Sequence, residues 1–153
     1  MLSFTLASKL LRRVISEAPT PLHKLIRAIL FNVRSWFFDL FYFPLSKKQL
    51  SKLLDDFKRY LEEYCLHYEN ELFDCDDFAL AFKHFATVHF KTNAVGVALG
   101  MLKKDGKVLG GHAWNVVLLG NGNIVYVEPQ TCEIIYGNVS LDGFEYELQA
   151  VVW

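Results

Sequence analysis

A cysteine, a histidine and a glutamate occur in an order that could support thiol chemistry. Cys75 lies where a helix is predicted to begin, directly after a capping aspartate. His112 precedes an apolar run typical of a strand, and Glu128 ends the next such run, before Pro129. A thiolate nucleophile needs a base to take its proton, and that base needs a third group to orient its ring. The pattern predicts Cys75 as nucleophile, His112 as base and Glu128 as the orienting acid.

The residues and the helix start around Cys75 shift the pKa of its thiol in opposite directions. Asp74 is a good N-cap, and Asp77 three residues later completes a capping box. The free amides and the dipole of the helix start favour a thiolate, and the amides could stabilise an oxyanion. The carboxylates of Asp74 and Asp76 raise a thiol pKa. The sequence leaves the net sign open, and the alternative is that Cys75 is a small buried hydrophobe.

Whether His112 meets Glu128 depends on the loop between their strands. A two-residue turn places Asn115 opposite Glu128 and turns His112 to the other face of the sheet. A three-residue loop, residues 120–122, places Trp114 opposite Glu128, with His112 on the same face one diagonal step away. The alternatives are an ordinary half-buried histidine and a solvated strand-end glutamate.

Several other polar residues near this trio could contribute to a site. The residues predicted to support binding are Asp74, Asp76, Trp114, Asn115 and Gln130. A separate interpretation places a metal ion, without thiol chemistry, among Asp74, Asp76, Asp77, His112 and Glu128.

Composition limits the class of protein. The chain has 153 residues, 52% of them hydrophobic, which suits one domain with a packed core. A net charge of -1 argues against a nucleic-acid partner. None of the three cysteines forms a CxxC pair, so a disulfide framework or a structural zinc site is not expected. With no signal peptide or membrane-spanning run recognised, a cytoplasmic location is predicted.

The order of predicted elements is helices first and strands last. Helical spacing or caps mark residues 3–17, a second helix from Pro21, a third after Ser46 and a fourth from Asp74. Strand patterns cover residues 92–101, 107–119, 123–128, 132–136 and 144–152, with an Asp105-Gly106 hairpin. This order predicts an α+β fold, N-terminal helices followed by an antiparallel β-sheet, rather than alternating βαβ units.

The predicted organisation divides the chain into residues 1–45 and residues 46–153. The first unit is predicted to hold two amphipathic helices. They are basic, because residues 1–34 contain six Lys or Arg and one acidic residue, Glu17. Such helices either cover the core, with their apolar faces buried, or lie on a membrane surface or a partner.

Three short motifs resemble the transglutaminase-like cysteine proteinases, especially the bacterial branch. The segment Asp74-Cys75-Asp76-Asp77-Phe78-Ala79 is similar to the Asp-Cys-Glu-Asp-Tyr-Ala element of that superfamily. The segments 111–113 and 125–128 resemble its histidine element and its acid-bearing strand. The similarity covers residues 74–136.

The resemblance implies a papain/transglutaminase-like core and a hydrolase, a thiol protease or amidase, or an acyltransferase acting through a thioester. It implies a protein or peptide substrate and no required cofactor, with calcium held by Asp74 and Asp76. The sequence departs from the family pattern in having Glu128 where aspartate is usual. No clear oxyanion-hole side chain precedes Cys75, and Asn70 is the candidate.

An alternative from another functional class uses the same fold. The chain would be a catalytically inactive binding module whose region around Trp114 and Asn115 recognises a ligand or a protein partner. Reaction of Cys75 with a thiol probe would depend on His112 in an enzyme and be indifferent to it in a binding module.

Overall fold

The computed structural model describes residues 3–153, so the first two residues of the predicted unit 1–45 lie outside the described part. Four helices come first: α1 Ser3–Ser16, α2 Pro21–Arg34, α3 Lys47–Glu63 and α4 Cys75–Phe90. Five strands follow: β1 Val95–Lys104, β2 Lys107–Leu118, β3 Ile124–Glu128, β4 Glu133–Ile135 and β5 Phe144–Val152. The predicted α+β class, helices followed by an antiparallel sheet, is confirmed.

Side-chain caps fix where the helices begin. Thr20 caps α2 with Pro21 in its first turn. Ser46 and Asp74 each form a capping box, with the side chains of Gln49 and Asp77 returning to the cap. These reciprocal bonds satisfy amide donors that would otherwise lack partners. Cys75 is therefore the first residue of α4, as the sequence predicts.

The five strands form one sheet in the order β4-β3-β2-β1-β5. Asp105 and Gly106 both adopt positive φ between β1 and β2, which suits a tight hairpin. The last strand does not pair with its sequence neighbour β4. It crosses to the far side of the sheet and pairs with β1, so residues near the C-terminus lie beside those near Gly100.

Helix α4 packs on β1 and β2, and α2 packs on β5. The amide of Asn115, fully buried, donates to the Ala79 carbonyl at 2.9 Å and to the Gly96 carbonyl at 3.2 Å. These bonds join α4 to β1 through β2. They fix the start of α4 relative to the sheet, which determines where Cys75 lies.

The C-terminal end of α2 is anchored to β5. The amide of Trp36 donates to Val151 at 2.8 Å, and the Trp36 carbonyl accepts from Trp153 at 2.8 Å. The Ser35 hydroxyl oxygen accepts from the Val151 amide at 3.1 Å. Arg34, the last residue of α2, is consequently held over one end of the sheet.

Within residues 3–153, no helix combines the length and the apolar character needed to cross a membrane. The division at residues 45 and 46 and the cytoplasmic location stay predictions.

Candidate functional site

His112 and Glu128 are hydrogen-bonded across the sheet. Leu119 pairs with Asn123 around the three-residue loop, and Asn115 pairs with Val127, so Trp114 stands opposite Glu128. This is the second of the two registers considered from the sequence. The Nε2 of His112 lies 2.7 Å from Oε2 of Glu128. The carboxylate thereby orients the imidazole ring.

Glu128 has two further donors, although its side chain is almost fully buried. The hydroxyl of Tyr146 donates to Oε2 at 3.1 Å, and the Gln130 amide donates to Oε1 at 3.3 Å. A buried carboxylate needs such donors to offset the cost of its desolvation. Burial, followed by the charge of Glu128, raises the pKa of Tyr146, so this hydroxyl is a constant donor.

Cys75 lines the same open cleft as His112. Its side chain packs against a small apolar cluster of Ala79, Val97 and Ala113. All three cysteines of the chain are free thiols. Cys132 is also half-buried, and burial raises its pKa to about 11.

The surroundings of Cys75 raise the pKa of its thiol. Burial raises its pKa, and the nearby carboxylates of Asp74 and Asp76 raise it further, against a hydrogen bond from the Ala113 amide. Because the ordinary thiol pKa already lies above neutrality, Cys75 is mainly protonated near pH 7. The direction of the net shift in the thiol pKa, which the sequence left open, is therefore a rise in this structure.

The two carboxyls flanking Cys75 share a hydrogen bond. It lowers the pKa of Asp74 and raises that of Asp76, with burial adding to the rise. One oxygen of each carboxyl and the Cys75 sulfur lie within 4.8 Å of one another. Oxygen donors of this kind suit calcium. Asp77 instead accepts from the Asp74 amide at 3.2 Å.

An open cleft of about 670 Å³ contains both Cys75 and His112. It crosses β2, β1 and β5 and is bounded by the first turn of α4 and by Arg34 at the end of α2. Its polar side chains are those of Arg34, Asp76, His112 and Gln149, and its apolar ones include Leu99, Met101 and Ala150. The volume is within the range of small-ligand sites.

A β-bulge brings Gln149 to this cleft. Leu99 pairs with Ala150, but Gly100 pairs with Leu148, so Gln149 is the extra residue. A bulge re-aims a side chain and bends its strand. Gly100 permits this close approach, because a Cβ there would lie 2.0 Å from the Glu147 carbonyl oxygen.

The residues predicted to support binding fall into three groups. Asp76 lines the cleft beside Cys75, and Asp74 caps the helix. Trp114 and Asn115 are fully buried in the core and do not line the cleft. Gln130 contributes its backbone amide to Glu128. The catalytic roles of Cys75, His112 and Glu128 stay a prediction.

The sequence gives no signal for several residues that the fold places at the site. Arg34 and Gln149 line the cleft, and Tyr146 bonds Glu128. Gln149 and Tyr146 come to the site through the crossing of β5 to β1, which no local motif marks. Arg34 arrives through the anchoring of α2 to that same strand.

Comparison with protein families identifies the family of this chain. The family model of the ricin-type β-trefoil lectin C-terminal domain matches residues 27–146, which is most of the chain and all of the cleft except its last two residues. The chain belongs to this lectin C-terminal domain family. No curated protein sequence matches it.

Two solved structures share the fold of this lectin C-terminal domain. One, a PSL1a–E64 complex, is 18% identical with a TM-score of 0.66, and covers 100% of this chain and 51% of that one. The other is the Polyporus squamosus lectin bound to the human-type influenza-binding epitope Neu5Acα2-6Galβ1-4GlcNAc. It is 24% identical with a TM-score of 0.57, and covers 78% of this chain and 42% of that one. The chain thus spans about half the length of these proteins.

The family match corrects the assignment to the transglutaminase-like cysteine proteinases, which is wrong. The motifs around Cys75, His112 and Glu128 reflect a helix start packed on an antiparallel sheet. That arrangement recurs in proteins of different function, because a fold does not fix an activity.

The same match overturns the predicted function. The prediction of a thiol-dependent hydrolase or acyltransferase is wrong for this lectin C-terminal domain, and the alternative of a binding module agrees better with the family. The predicted protein or peptide substrate is corrected as well, since the related lectin is bound to a sialylated glycan epitope.

Proposed function

We propose that this lectin C-terminal domain is a non-catalytic binding module that holds a glycan in the cleft between α4 and the sheet. The observation that carries the proposal is the bulge at Gln149, which places an amide in the same open cleft as the oriented ring of His112. Amide and imidazole groups donate and accept hydrogen bonds, as sugar hydroxyls require.

The cleft also offers modest apolar surface for a sugar ring. Leu99, Met101 and Ala150 line it beside the polar groups. Small-ligand sites commonly combine such apolar lining with a few placed polar groups. In this proposal Cys75 forms part of the wall, consistent with its raised pKa and its packing on the alanines of α4 and β2.

Filling the cleft tests the proposal. Gly111 lines it, and a Cβ added there meets nothing within 4 Å, so a side chain can be introduced and Gly111→Leu should obstruct the cleft. Titration calorimetry with Neu5Acα2-6Galβ1-4GlcNAc should show binding to the unmodified chain. The Gly111→Leu variant should bind at least about tenfold more weakly, since a leucine side chain displaces ligand contacts.

Two controls accompany this titration. Gly111→Ala adds one methyl group and should bind nearly as well as the unmodified chain. Gly120→Ala lies outside the cleft, where its Cβ makes only an ordinary contact with Leu45, and should leave affinity unchanged. Equal melting temperatures would establish that all variants are folded. Absence of binding to the unmodified chain, or full binding by Gly111→Leu, contradicts the proposal.

We also propose that Asp74 and Asp76 can hold calcium at the edge of the cleft. Two carboxylates supply part of the oxygen shell of the ion, and water would complete it. Calcium should raise the melting temperature of the unmodified chain, because binding only to the folded state stabilises it. The Asp76→Asn variant should lose this rise and Asp105→Asn, in the distant hairpin, should keep it. An unchanged melting temperature in calcium contradicts the site.

A further inference from the structure

Exposed apolar side chains are concentrated on α2 and on the segment that follows it. Of the 22 large hydrophobic residues that are exposed within residues 3–153, half lie between residues 22 and 43. They form what we call the outer apolar surface: Leu22, Leu25, Ile26, Ile29, Leu30, Val33, Trp36, Phe38, Leu40, Phe41 and Phe43. Soluble proteins rarely expose a large apolar patch unless it meets a partner or a membrane.

The apolar stripe of α2 points away from the body of the protein. The spacing of residues 22, 25, 26, 29 and 33 places their side chains on one side of the helix. Phe31, the buried residue of α2, lies on the opposite side. The hydrogen bonds of residues 35 and 36 to β5 hold the end of the helix in this orientation. The stripe is therefore exposed because of how α2 is anchored to the sheet.

The aromatic end of the outer apolar surface is held in place by the backbone. Phe41 and Phe43 are exposed, whereas Tyr42 between them is buried. The Phe43 amide donates to Oδ1 of Asn93 at 2.9 Å, and the Phe43 carbonyl accepts from the Thr92 hydroxyl at 2.9 Å. Because these bonds and the burial of Tyr42 fix the segment, the two exposed rings are already directed outward in the free protein.

Trp36 and Phe38 connect the stripe of α2 to this aromatic end. Their ring centres are 6.4 Å apart, and Trp36 is bonded to β5 just after α2 ends. Trp36 is 60% exposed, whereas Trp114 and Trp153 are buried. Because the chain has three tryptophans, Trp36 is its one exposed tryptophan and reports directly on this surface.

The charge around the outer apolar surface is positive, although the chain as a whole is slightly negative. Residues 18–54 contain six Lys or Arg and one acidic residue, Asp39, whereas the net charge of the chain is -1. Lys24 on α2 is exposed, and so are Lys47 and Lys48, which follow the aromatic end. A surface of uniform negative charge complements this excess of cations.

We propose that the outer apolar surface docks on a membrane whose headgroups are anionic phospholipids. A helix with aliphatic and aromatic residues on one side and Lys or Arg on the other is of the kind that lies in the plane of a bilayer interface. Tryptophan is enriched at the same depth. Helix α2 has 14 residues, too few to cross a bilayer, so it lies on the surface. A protein partner would also cover apolar side chains, but the excess of cations favours a uniformly anionic surface.

Vesicles that carry no sugar test the docking. The unmodified chain is mixed with vesicles of phosphatidylcholine alone or with about 30% phosphatidylserine, and binding is measured by cosedimentation and by tryptophan emission. Binding to the anionic vesicles should be at least about tenfold tighter, because several cations near an anionic surface each contribute. The emission of Trp36 should shift to shorter wavelength as its ring leaves water. Rising salt should weaken binding to the anionic vesicles.

Apolar variants locate the contact. The double variant Leu25→Gln/Val33→Gln changes two exposed side chains of the stripe. Its binding to anionic vesicles should fall at least about tenfold, since two apolar side chains no longer enter the interface. The control is Leu141→Gln, which changes a leucine that is 94% exposed outside the outer apolar surface and should leave binding unchanged.

Charge variants separate the two contributions. Lys47→Gln/Lys48→Gln should weaken binding to anionic vesicles about tenfold and leave any binding to neutral vesicles unchanged. Lys107→Gln, in the hairpin between β1 and β2, removes an exposed cation outside residues 18–54 and should have little effect. Equal melting temperatures would establish that all variants are folded.

Several outcomes contradict the proposal. They are absence of binding to both vesicles, equal binding to both, and unchanged binding by Leu25→Gln/Val33→Gln. Sedimentation velocity without vesicles adds another: a dimer of the unmodified chain that this double variant dissociates would assign the surface to a second copy of the chain. Because Leu25 and Val33 do not line the cleft, none of these results depends on whether a glycan binds there.

Discussion

Helices α1 and α2 have the same length and similar end charges but different roles. Each is 14 residues long, basic in its last turn and without an acidic residue in its first turn. In α1 the apolar stripe is buried in the core, through Leu6, Leu10 and Val14. In α2 most apolar residues face outward: Leu25 is 58% exposed and Val33 is 73% exposed.

This difference shows what positions each helix. Helix α1 is held mainly by apolar burial, as a cover for the core. Helix α2 buries Phe31 and is otherwise held by polar contacts, the Arg27–Glu147 pair and the bonds to β5 at its end. Its inner side therefore presents arginines to a cavity, where α1 presents leucines to the core. Hydrophobic periodicity predicts both helices but does not distinguish these two sides.

Truncation of matched leucines gives the largest expected contrast between the helices. Leu10→Ala should reduce the free energy of unfolding by about 2–5 kcal/mol, because it leaves a cavity in the core. Leu25→Ala should change it by no more than about 0.5 kcal/mol, as for other surface substitutions. Urea denaturation of both variants measures this. Comparable losses in the two helices would refute the proposed difference in how they are held.

The charge contacts of α2 should contribute less. Glu147→Gln should reduce the free energy of unfolding by about 1–2 kcal/mol, because Arg27 and Lys103 lose their shared, partly buried partner. High salt should reproduce part of this loss in the unmodified chain. Asp56→Asn removes the acid that Lys52 and Arg59 share on α3, and should have a much smaller effect because both of these cations are exposed. If the two variants lose equal stability, the pair beneath α2 is no stronger than a surface one.

Helix α1 has one polar contact that can be compared directly. The Arg13 guanidinium lies 4.0 Å from the centre of the Tyr126 ring and bonds the Gly137 carbonyl. Arg13→Met should cost about 0.5–1 kcal/mol, typical of a cation–π contact. Arg12→Met, on the exposed side, should cost less. Thermal unfolding would decide, and a greater loss for Arg12→Met would contradict the contact.

The smallest effect concerns Glu17, which directly follows α1 and lies near Arg27 of α2. Burial raises its pKa, so its contribution to stability is present below the ordinary carboxyl pKa and is lost as pH rises through the raised value. Glu17→Gln should therefore stabilise the fold at pH 7 by less than about 1 kcal/mol, and the gain should vanish in acid. The free energies of unfolding of the variant and the unmodified chain, measured from pH 4 to pH 8, check this. A stabilisation by Glu17→Gln that grows as the pH falls would contradict the prediction.

Much of the local structure is predictable from the sequence, because its causes are local. Ser46 and Asp74 cap helices through contacts only three residues away, and Asp105-Gly106 forms its hairpin for conformational reasons. The loop at residues 120–122 left two registers open. The glycine with positive φ at Gly122 is compatible with the observed one.

The cleft was only partly predictable, because its remaining wall comes from long-range pairing. Cys75 and His112 were found from their local patterns, and both line the cleft. Gln149, and Tyr146 beside Glu128, depend on the crossing of β5 to β1, and Arg34 depends on how the end of α2 is anchored to that strand. The trio also suggested the wrong family, since residue types arranged by a common fold do not by themselves carry an activity.

The central claim is that a glycan binds in the cleft. The most direct test is to map backbone amide shifts by NMR as Neu5Acα2-6Galβ1-4GlcNAc is added. The largest shifts should occur at Gly111, Gln149 and Ala150, with weaker ones near Arg34. Saturable shifts confined to another surface, or none at millimolar ligand, where even weak binding is detectable, would contradict it.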